Sequence, residues 1–367
     1  MCTRMRTEMV KTAVLVWAVL GMWSFAKALA GEPATDQVWL VSTRQAPWLD
    51  DGATLAAPGY WRLSPQRQWM PATEQQFLAC DNPAVPTVFY IHGNRAEVTA
   101  AVNDGWRLRE LLQGLAPGRP LRYVIWSWPA DRLPGSNRLD VRVKAARSDT
   151  ESRYLAQLLA RINPQVPISF FGYSFGARII TGAMHLLAAG EAPVQGALYA
   201  DPGIRRLPMR AVLVAAAEDC DWLLPERCHG LALSQADRIL ITVNPADPVL
   251  KRYPLMYGRR GPEALGYVGP PPGAHLAKLE PLNLACSVGK SHDWECYLAD
   301  PALRARLAWY TFLAPSASES PARGRVPAQT PGPAKMPPDP AYSATWSGRP
   351  TAPLAAREAP PLAPPEH

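Results

Sequence analysis

The pentapeptide GYSFG at 172–176 has the residue types of a nucleophilic serine site. Ser174 lies between two glycines, directly after the apolar run PISFF and directly before the helical pattern ARIITGAMHLLAA. A serine on a tight strand-to-helix turn is exposed at the carboxyl edge of a sheet, and flanking glycines let the backbone turn without a Cβ clash. This context predicts that Ser174 is a nucleophile.

A serine hydroxyl attacks only after a base accepts its proton, and in this kind of site the acid and then the histidine follow the serine in the chain. His292, in GKSHDWECY, precedes the last helical pattern, where the base is expected. His275 remains an alternative. His185 lies within the helix that follows Ser174 and His229 within a cysteine-containing loop, so both fit the role less well.

The acid that orients the histidine should also follow a strand. Asp247 comes after RILITVN in the turn PADP, and its loop is closer in sequence to His292 than that of Asp201, which follows GALYAD. Asp247 is therefore preferred and Asp201 is the rival. Asp219, Asp221 and Asp237 stay open as further alternatives.

Acyl transfer also needs backbone donors for the developing oxyanion. The N–H of Phe175, after the nucleophile, is one candidate. The second is the N–H of Asn94 in the sequence HGN at 92–94, where Gly93 allows close approach.

Three neighbouring side chains are predicted to contact the substrate, namely His92, Arg95 and Tyr173. His92 fits a residue that orients its loop better than a base. Arg95 could meet an acidic substrate group, although an exposed loop arginine is the simpler interpretation.

Short apolar runs alternate with helical patterns over the middle of the chain, which is typical of a mostly parallel sheet with helices on both faces. We predict an α/β fold with strands at 87–93, 123–129, 167–174, 196–201 and 238–244. Helices are expected at 96–115, after a capping box at Ser148 and Glu151, and at 301–313.

The two ends of the chain differ in composition from this middle part. Residues 1–30 have a basic start, an apolar run at 13–25 and the sequence AKALA, which predicts a signal peptide cleaved after Ala30 and an exported, periplasmic or secreted protein. Many of the 40 prolines lie in 314–367, which predicts a disordered tail. One domain is then expected at 31–313.

Charge and composition exclude several classes of protein. The formal net charge is +7, but +3 of it lies in the first thirty residues, which weakens a nucleic-acid role. The apolar run at 13–25 is short for a bilayer, so membrane contact is expected only through the signal segment. The sequence GKS at 289–291 has Leu284 where a phosphate-binding loop requires glycine.

Five cysteines remain after the predicted cleavage, at positions 80, 220, 228, 286 and 296. In an oxidising compartment the close pairs Cys220/Cys228 and Cys286/Cys296 are the predicted disulfides. A zinc site built from Cys220, Cys228 and His229 is the competing interpretation, although it lacks a C-x-x-C pair.

These motifs together resemble the α/β-hydrolase superfamily, and within it a bacterial branch known mainly as a domain of unknown function. The resemblance covers about 38–313. It is carried by VWLVSTR at 38–44, FYIHGN at 89–94, IWSWPA at 125–130, FFGYSFGARI at 170–179, ALYADPGI at 197–204, ITVNPADPVLK at 241–251, LGYVG at 265–269 and SHDWECYL at 291–298. It implies that Ser174, Asp247 and His292 are nucleophile, acid and base and that HGN forms the oxyanion loop.

The expected function is that of a serine hydrolase that cleaves a small-molecule or lipid-like ester, or a related acyl bond, through an acyl-enzyme. This chemistry needs no metal or organic cofactor. A peptidase or an acyltransferase would use the same residues. A catalytically silent, envelope-associated binding protein on the same fold is the alternative from a different class. The oligomeric state is open.

Overall fold

The structure is a computed structural model that describes residues 36–46, 56–190, 209–258, 261–273 and 277–314. Nine strands form one sheet. They are β1 (Gln37–Ser42), β2 (Gly59–Leu63), β3 (Trp69–Ala72), β4 (Thr87–Ile91), β5 (Arg122–Ser127), β6 (Ile168–Tyr173), β7 (Met209–Val214), β8 (Ala236–Val243) and β9 (Leu279–Asn283).

The spatial order of the strands is β3-β2-β1-β5-β4-β6-β7-β8-β9. The pairs β1/β2 and β2/β3 are antiparallel, and every other neighbouring pair is parallel. The sheet is therefore mostly parallel with an antiparallel edge. All seven parallel strands present their carboxyl ends at one edge.

Nine α-helices and one 3₁₀ helix lie within the described ranges. They are α1 (Glu74–Leu78), α2 (Val98–Leu115), α3 (Asn137–Leu159), α4 (Phe175–Ala189), α5 (Ala232–Gln235), the 3₁₀ helix (Leu250–Met256), α6 (Leu265–Val268), α7 (Ala285–Val288), α8 (Trp294–Leu298) and α9 (Pro301–Tyr310). Helix α2 contacts α9, and α3 packs along α4. Because the chain moves in opposite directions along the sheet after β4 and after β6, right-handed crossovers place α2 and α4 on opposite faces.

The central strands are buried on both sides. Every residue of β4 (TVFYI) and β5 (RYVIWS) is buried, which explains why these segments are almost continuously apolar rather than alternating. The arrangement confirms the predicted α/β-hydrolase type of fold, with a mostly parallel sheet between helical layers and a serine at a strand-to-helix turn.

The predicted helix start at Ser148 is wrong. Helix α3 begins at Asn137, and its N-cap is Ser136, whose side chain accepts a hydrogen bond from the Leu139 N–H. Ser148 lies inside this helix, and its hydroxyl donates to the Ala145 carbonyl at 2.6 Å. The first half of α3 is rich in polar residues, which hides its helical period and leaves Ser148 and Glu151 as the first clear capping pattern.

Several predictions fall outside the described residues. These are the signal peptide, the proline-rich tail beyond Ala314 and the strand at 196–201 with the rival acid Asp201, as well as the alternative base His275. No helix in the described ranges is long and apolar enough to cross a membrane.

The two predicted disulfides are absent, since all five cysteines after residue 30 are free thiols. Cys286 lies on α7 and Cys296 on α8, and both are exposed. Cys220 is tied by its N–H to the Glu263 carbonyl at 2.9 Å, whereas Cys228 is exposed. The cysteines of each pair thus belong to separate local structures, and their closeness in sequence does not bring the two sulfurs into a disulfide.

Candidate active site

Ser174 occupies a strained turn between β6 and α4. Its φ of 52° and ψ of −116° lie in a region that residues with a Cβ rarely adopt. Its N–H donates to the Val214 carbonyl at 2.9 Å, and its carbonyl accepts from the N–H groups of Ala177 at 3.1 Å and Ala217 at 3.2 Å. The backbone of the serine is thus held by the first turn of α4 and by the end of the neighbouring strand β7 with the residues that follow it.

Both glycines of the GYSFG motif are required by close packing. A Cβ on Gly176 would lie 2.1 Å from the Ile91 carbonyl oxygen, and one on Gly172 would lie 2.9 Å from the Ala177 nitrogen. These contacts are with backbone atoms, which cannot rotate away. The two glycines of the motif are therefore sterically required at this turn.

His292 lies in the loop between α7 and α8 and joins the serine to a carboxylate. Its Nε2 is 3.3 Å from the Ser174 hydroxyl oxygen, and its Nδ1 is 2.7 Å from Oδ2 of Asp247. The structure thus brings together the three residues that were predicted as nucleophile, base and acid.

Asp247 is fully buried in the turn that follows β8. Burial raises the pKa of Asp247, but its hydrogen bond with His292, the charge of that imidazole and the N–H groups of Leu250 and Val249 outweigh burial and hold the pKa below its usual value. The carboxylate is ionised at neutral pH and only accepts hydrogen bonds. The Nδ1 of His292 must then carry the proton, which leaves the Nε2 lone pair facing Ser174.

The other candidate acids have different partners. Asp219 accepts a hydrogen bond from the Tyr253 hydroxyl at 2.6 Å, and Asp221 pairs with Arg227 at 3.4 Å. Asp237 lies exposed near the start of β8, at the amino end of that strand.

The predicted oxyanion loop lies against the serine. A Cβ on Gly93 would lie 2.9 Å from the Tyr173 ring and 3.0 Å from the Ser174 Cβ, so any larger residue would force the site to shift. The Phe175 N–H opens α4 and has no partner within its own helix. Among the described residues, no acceptor is seen for the Asn94 N–H, whereas the next N–H, of Arg95, donates to the Ala130 carbonyl at 2.8 Å.

His92 does not fit the predicted contact with substrate. It is 1% exposed and stacks on Trp128, with ring centroids 5.5 Å apart. Its Nδ1 donates to the Gly93 carbonyl at 2.9 Å, and its Nε2 accepts from the backbone N–H of Trp128 at 3.2 Å. Burial, and then the charge of Arg44, lowers the pKa of His92 to about 3, so the ring is neutral and braces the loop.

Arg95 and Tyr173 also have protein partners. The Arg95 side chain donates to Asp140 at 3.1 Å and to Asn137 at 2.9 Å. The Tyr173 hydroxyl donates to the His292 carbonyl at 2.8 Å, which holds the histidine loop over the serine. Contact of either residue with a substrate stays a prediction.

Two residues at the site were missed by the sequence analysis. The Tyr297 hydroxyl donates to Oδ2 of Asp247 at 2.9 Å, and the Asn244 amide donates to the Gly289 carbonyl at 2.9 Å. The spacing in HDWECY places a tyrosine five residues after the histidine, which was the one available signal. Only the folded structure shows that α8 returns this tyrosine to the acid.

Within the described ranges, no group of three or more His, Cys, Asp or Glu side chains is placed to hold a metal ion. The alternative zinc site with Cys220, Cys228 and His229 is thus not assembled in this structure.

No protein-family model and no curated protein matches this chain. Its structure is similar to that of an acetyl xylan esterase core from Trichoderma reesei, with 12% identity, 64% of this chain and 100% of that chain covered, and a TM-score of 0.33. It is also similar to esterase B from Lactobacillus rhamnosis, with 13% identity, 83% and 95% covered, and a TM-score of 0.33. A third similar structure is acyl-protein thioesterase 2 from Zea mays, with 15% identity, 59% and 92% covered, and a TM-score of 0.29.

Proposed function

We propose that this protein is a serine hydrolase that cleaves an ester or related acyl bond through an acyl-enzyme. The observation that carries the proposal is the continuous path from the Ser174 hydroxyl through the His292 ring to the buried Asp247 carboxylate, with contacts of 3.3 and 2.7 Å. A hydroxyl becomes a useful nucleophile when a base with a free lone pair lies within reach and a carboxylate orients that base.

The reaction proceeds in two balanced halves. The Ser174 oxygen forms a bond to the carbonyl carbon as its proton moves to Nε2 of His292. The tetrahedral intermediate then breaks the bond to the leaving oxygen, which receives that proton, and an acyl-serine remains. In the second half, water attacks the acyl carbon and gives a proton to His292. His292 returns that proton to the Ser174 oxygen as its bond to the acyl group breaks, and the carboxylic acid product leaves. Asp247 stays ionised and stabilises the imidazolium in both halves.

The negative oxygen of each tetrahedral intermediate is assigned to the N–H groups of Phe175 and Asn94. The close approach of Gly93 to Ser174 supports this assignment, since it places the loop directly beside the nucleophile. Pre-oriented donors of this kind typically contribute about 10²–10³-fold each to the rate. The substrate class proposed is a small-molecule or lipid-like ester.

The test is covalent labelling of the purified protein with a fluorophosphonate, followed by hydrolysis of p-nitrophenyl esters of increasing chain length. We expect labelling at Ser174 in the wild type and none in Ser174→Ala. Ser169→Ala is the matched control, because Ser169 is buried on β6, the strand that leads to Ser174, and its hydroxyl has no hydrogen-bond partner among the described residues. A wild type that is not labelled would contradict the proposal and favour a binding protein on this fold.

Export is a separate part of the proposal. It rests on the basic and apolar start of the chain and on the sequence AKALA before Gly31. Expression in a bacterium that exports proteins and cleaves their signal peptides should give a mature chain that begins at Gly31. An intact mass that includes residues 1–30 would contradict it.

A further inference from the structure

The carboxylate of Asp247 accepts four hydrogen bonds. Its Oδ1 accepts from the N–H groups of Val249 at 2.8 Å and Leu250 at 3.1 Å. Its Oδ2 accepts from His292 at 2.7 Å and from the Tyr297 hydroxyl at 2.9 Å. An ionised carboxylate offers about four lone-pair sites, so this one is saturated, and a tyrosine and the base share one oxygen.

We propose that Tyr297 is a positioning residue that fixes the Asp247 carboxylate and limits the charge that it presents to His292. This inference rests on the proposed function, because it assigns a role in the same proton-transfer path. Tyr297 itself touches no reacting atom.

The hydrogen-bond partners of the Tyr297 hydroxyl fix the direction in which its proton points. The amide nitrogen of Asn244 lies 3.3 Å from the Tyr297 oxygen and can only donate to it. The single phenolic proton must then point to Oδ2 of Asp247. Burial, and then the charge of Asp247, raises the pKa of Tyr297, so the hydroxyl stays protonated at neutral pH.

The tyrosine is held in place by the packing of α8. Trp294 begins this helix and lies against Tyr90 and Phe171, with ring centroids 5.9 and 6.4 Å apart. Both of these aromatic rings belong to central strands of the sheet. The Tyr297 hydroxyl is therefore a fixed point against which the carboxylate is aligned, rather than a mobile surface group.

Removal of the Tyr297 hydroxyl would strengthen the interaction between the Asp247 carboxylate and His292. Without the Tyr297 donor, more negative charge remains on the Asp247 oxygen that faces His292. A stronger negative charge stabilises the imidazolium. The histidine then stays protonated to higher pH, where it cannot act as a base, so the acid limb of the pH–rate profile moves upward.

The test is Tyr297→Phe, with Tyr310→Phe as the matched control. The Tyr310 hydroxyl is also largely buried and also donates to a carboxylate, that of Glu280 at 2.8 Å, but it belongs to α9 and has no contact with the site. We expect Tyr297→Phe to lower kcat/KM about tenfold at neutral pH, as the loss of one hydrogen bond to a charged group can do. Its acid limb should move up by about 0.5–1 pH unit, whereas that of Tyr310→Phe should stay in place.

A second measurement does not depend on turnover. The ring of His292 is titrated by NMR in ¹⁵N-histidine-labelled protein, with His292→Asn for assignment. We expect a higher midpoint in Tyr297→Phe than in the wild type and in Tyr310→Phe. Equal midpoints and equal acid limbs in all three would overturn the proposal. A shifted midpoint in a protein that hydrolyses no ester would instead contradict the proposed function and leave the positioning role standing.

Discussion

Two clusters of a hydroxyl, an imidazole and a carboxylate lie around helix α4, and they differ in which group stands in the middle. In the first cluster, His292 bonds both the Ser174 hydroxyl and a buried carboxylate. In the second cluster the hydroxyl is central, since Oγ1 of Thr181 lies 2.5 Å from Oε2 of Glu218 and 2.9 Å from Nδ1 of His229, whereas that Nδ1 is 3.5 Å from the carboxylate oxygen.

The order of the groups decides which chemistry is available. The Glu218 carboxylate only accepts hydrogen bonds and lies nearer, so the Thr181 hydroxyl donates to it, and His229 can only donate to that hydroxyl. Thr181 is also fully buried inside α4, whereas Ser174 stands on the strained turn before it. The same three functional groups therefore give a proton path in one place and an internal brace in the other.

The largest expected difference concerns the two imidazoles. We expect His292→Gln to lower kcat/KM by about 10⁴-fold or more, because the nucleophile loses its base. His229→Gln should change kcat/KM only a few-fold and act mainly on stability. Initial rates with p-nitrophenyl acetate, together with thermal melting of both variants, test this contrast. Similar losses of activity in the two variants would show that the second cluster takes part in the reaction.

The two carboxylates provide the next contrast. Asp247→Asn should reduce kcat by about 10³–10⁴-fold, since an amide no longer selects the imidazole tautomer that leaves Nε2 free for Ser174. Glu218→Gln keeps a hydrogen-bond acceptor for Thr181 and should leave kcat within a few-fold of the wild type. The distinction fails if folded Asp247→Asn retains more than a tenth of wild-type kcat.

The first cluster could be predicted from the sequence because each of its members ends an apolar strand or precedes a helix. Ser174 and Asp247 follow strands whose patterns are clear, and His292 comes just before the final helices. Parallel strands bring their carboxyl ends together, so order in the chain translates directly into neighbours in space.

Other features depend on contacts between distant segments and leave little local signal. His92 carries the residue type of a base, but its stacking on Trp128 follows from the packing of two strand ends. The cysteine pairs are close in sequence, yet their thiols are free because separate short helices or turns hold them. The tyrosine that bonds the acid belongs to the same class of features, as it depends on the path of α8.

Glycines near the two clusters should differ in their tolerance of a methyl group. A Cβ on Gly176 would lie 2.1 Å from the Ile91 carbonyl oxygen, which is part of the sheet. A Cβ on Gly182 would lie 2.4 Å from the Ser152 hydroxyl oxygen, which would have to leave its hydrogen bonds to the Ser148 and Ile179 carbonyls to make room. We expect Gly176→Ala to reduce the free energy of unfolding by about 3 kcal/mol and Gly182→Ala by about 1 kcal/mol. Urea denaturation measures both, and equal losses would contradict the distinction.

The last expected effect is the dependence of stability on pH through Asp247. Its hydrogen bond with His292 and the two backbone donors hold the folded pKa below the unfolded value of about 3.9, in spite of burial. A depressed carboxyl pKa stabilises the folded state above the unfolded value, and this contribution is lost as the pH falls through the folded value.

The wild type should therefore exceed Asp247→Asn in free energy of unfolding by about 1.5–3 kcal/mol at pH 7, the usual range for hydrogen bonds to a charged group. The difference should shrink steadily below about pH 4. Denaturation curves at several pH values between 7 and 3 test this, and a difference that is constant with pH would mean that the lost shape of the site, rather than its charge, sets the stability. In the first cluster, the Asp247 charge thus stabilises the fold and also orients the base His292. In the second cluster, the Thr181 hydroxyl donates its hydrogen bond to Glu218 and offers no proton to His229.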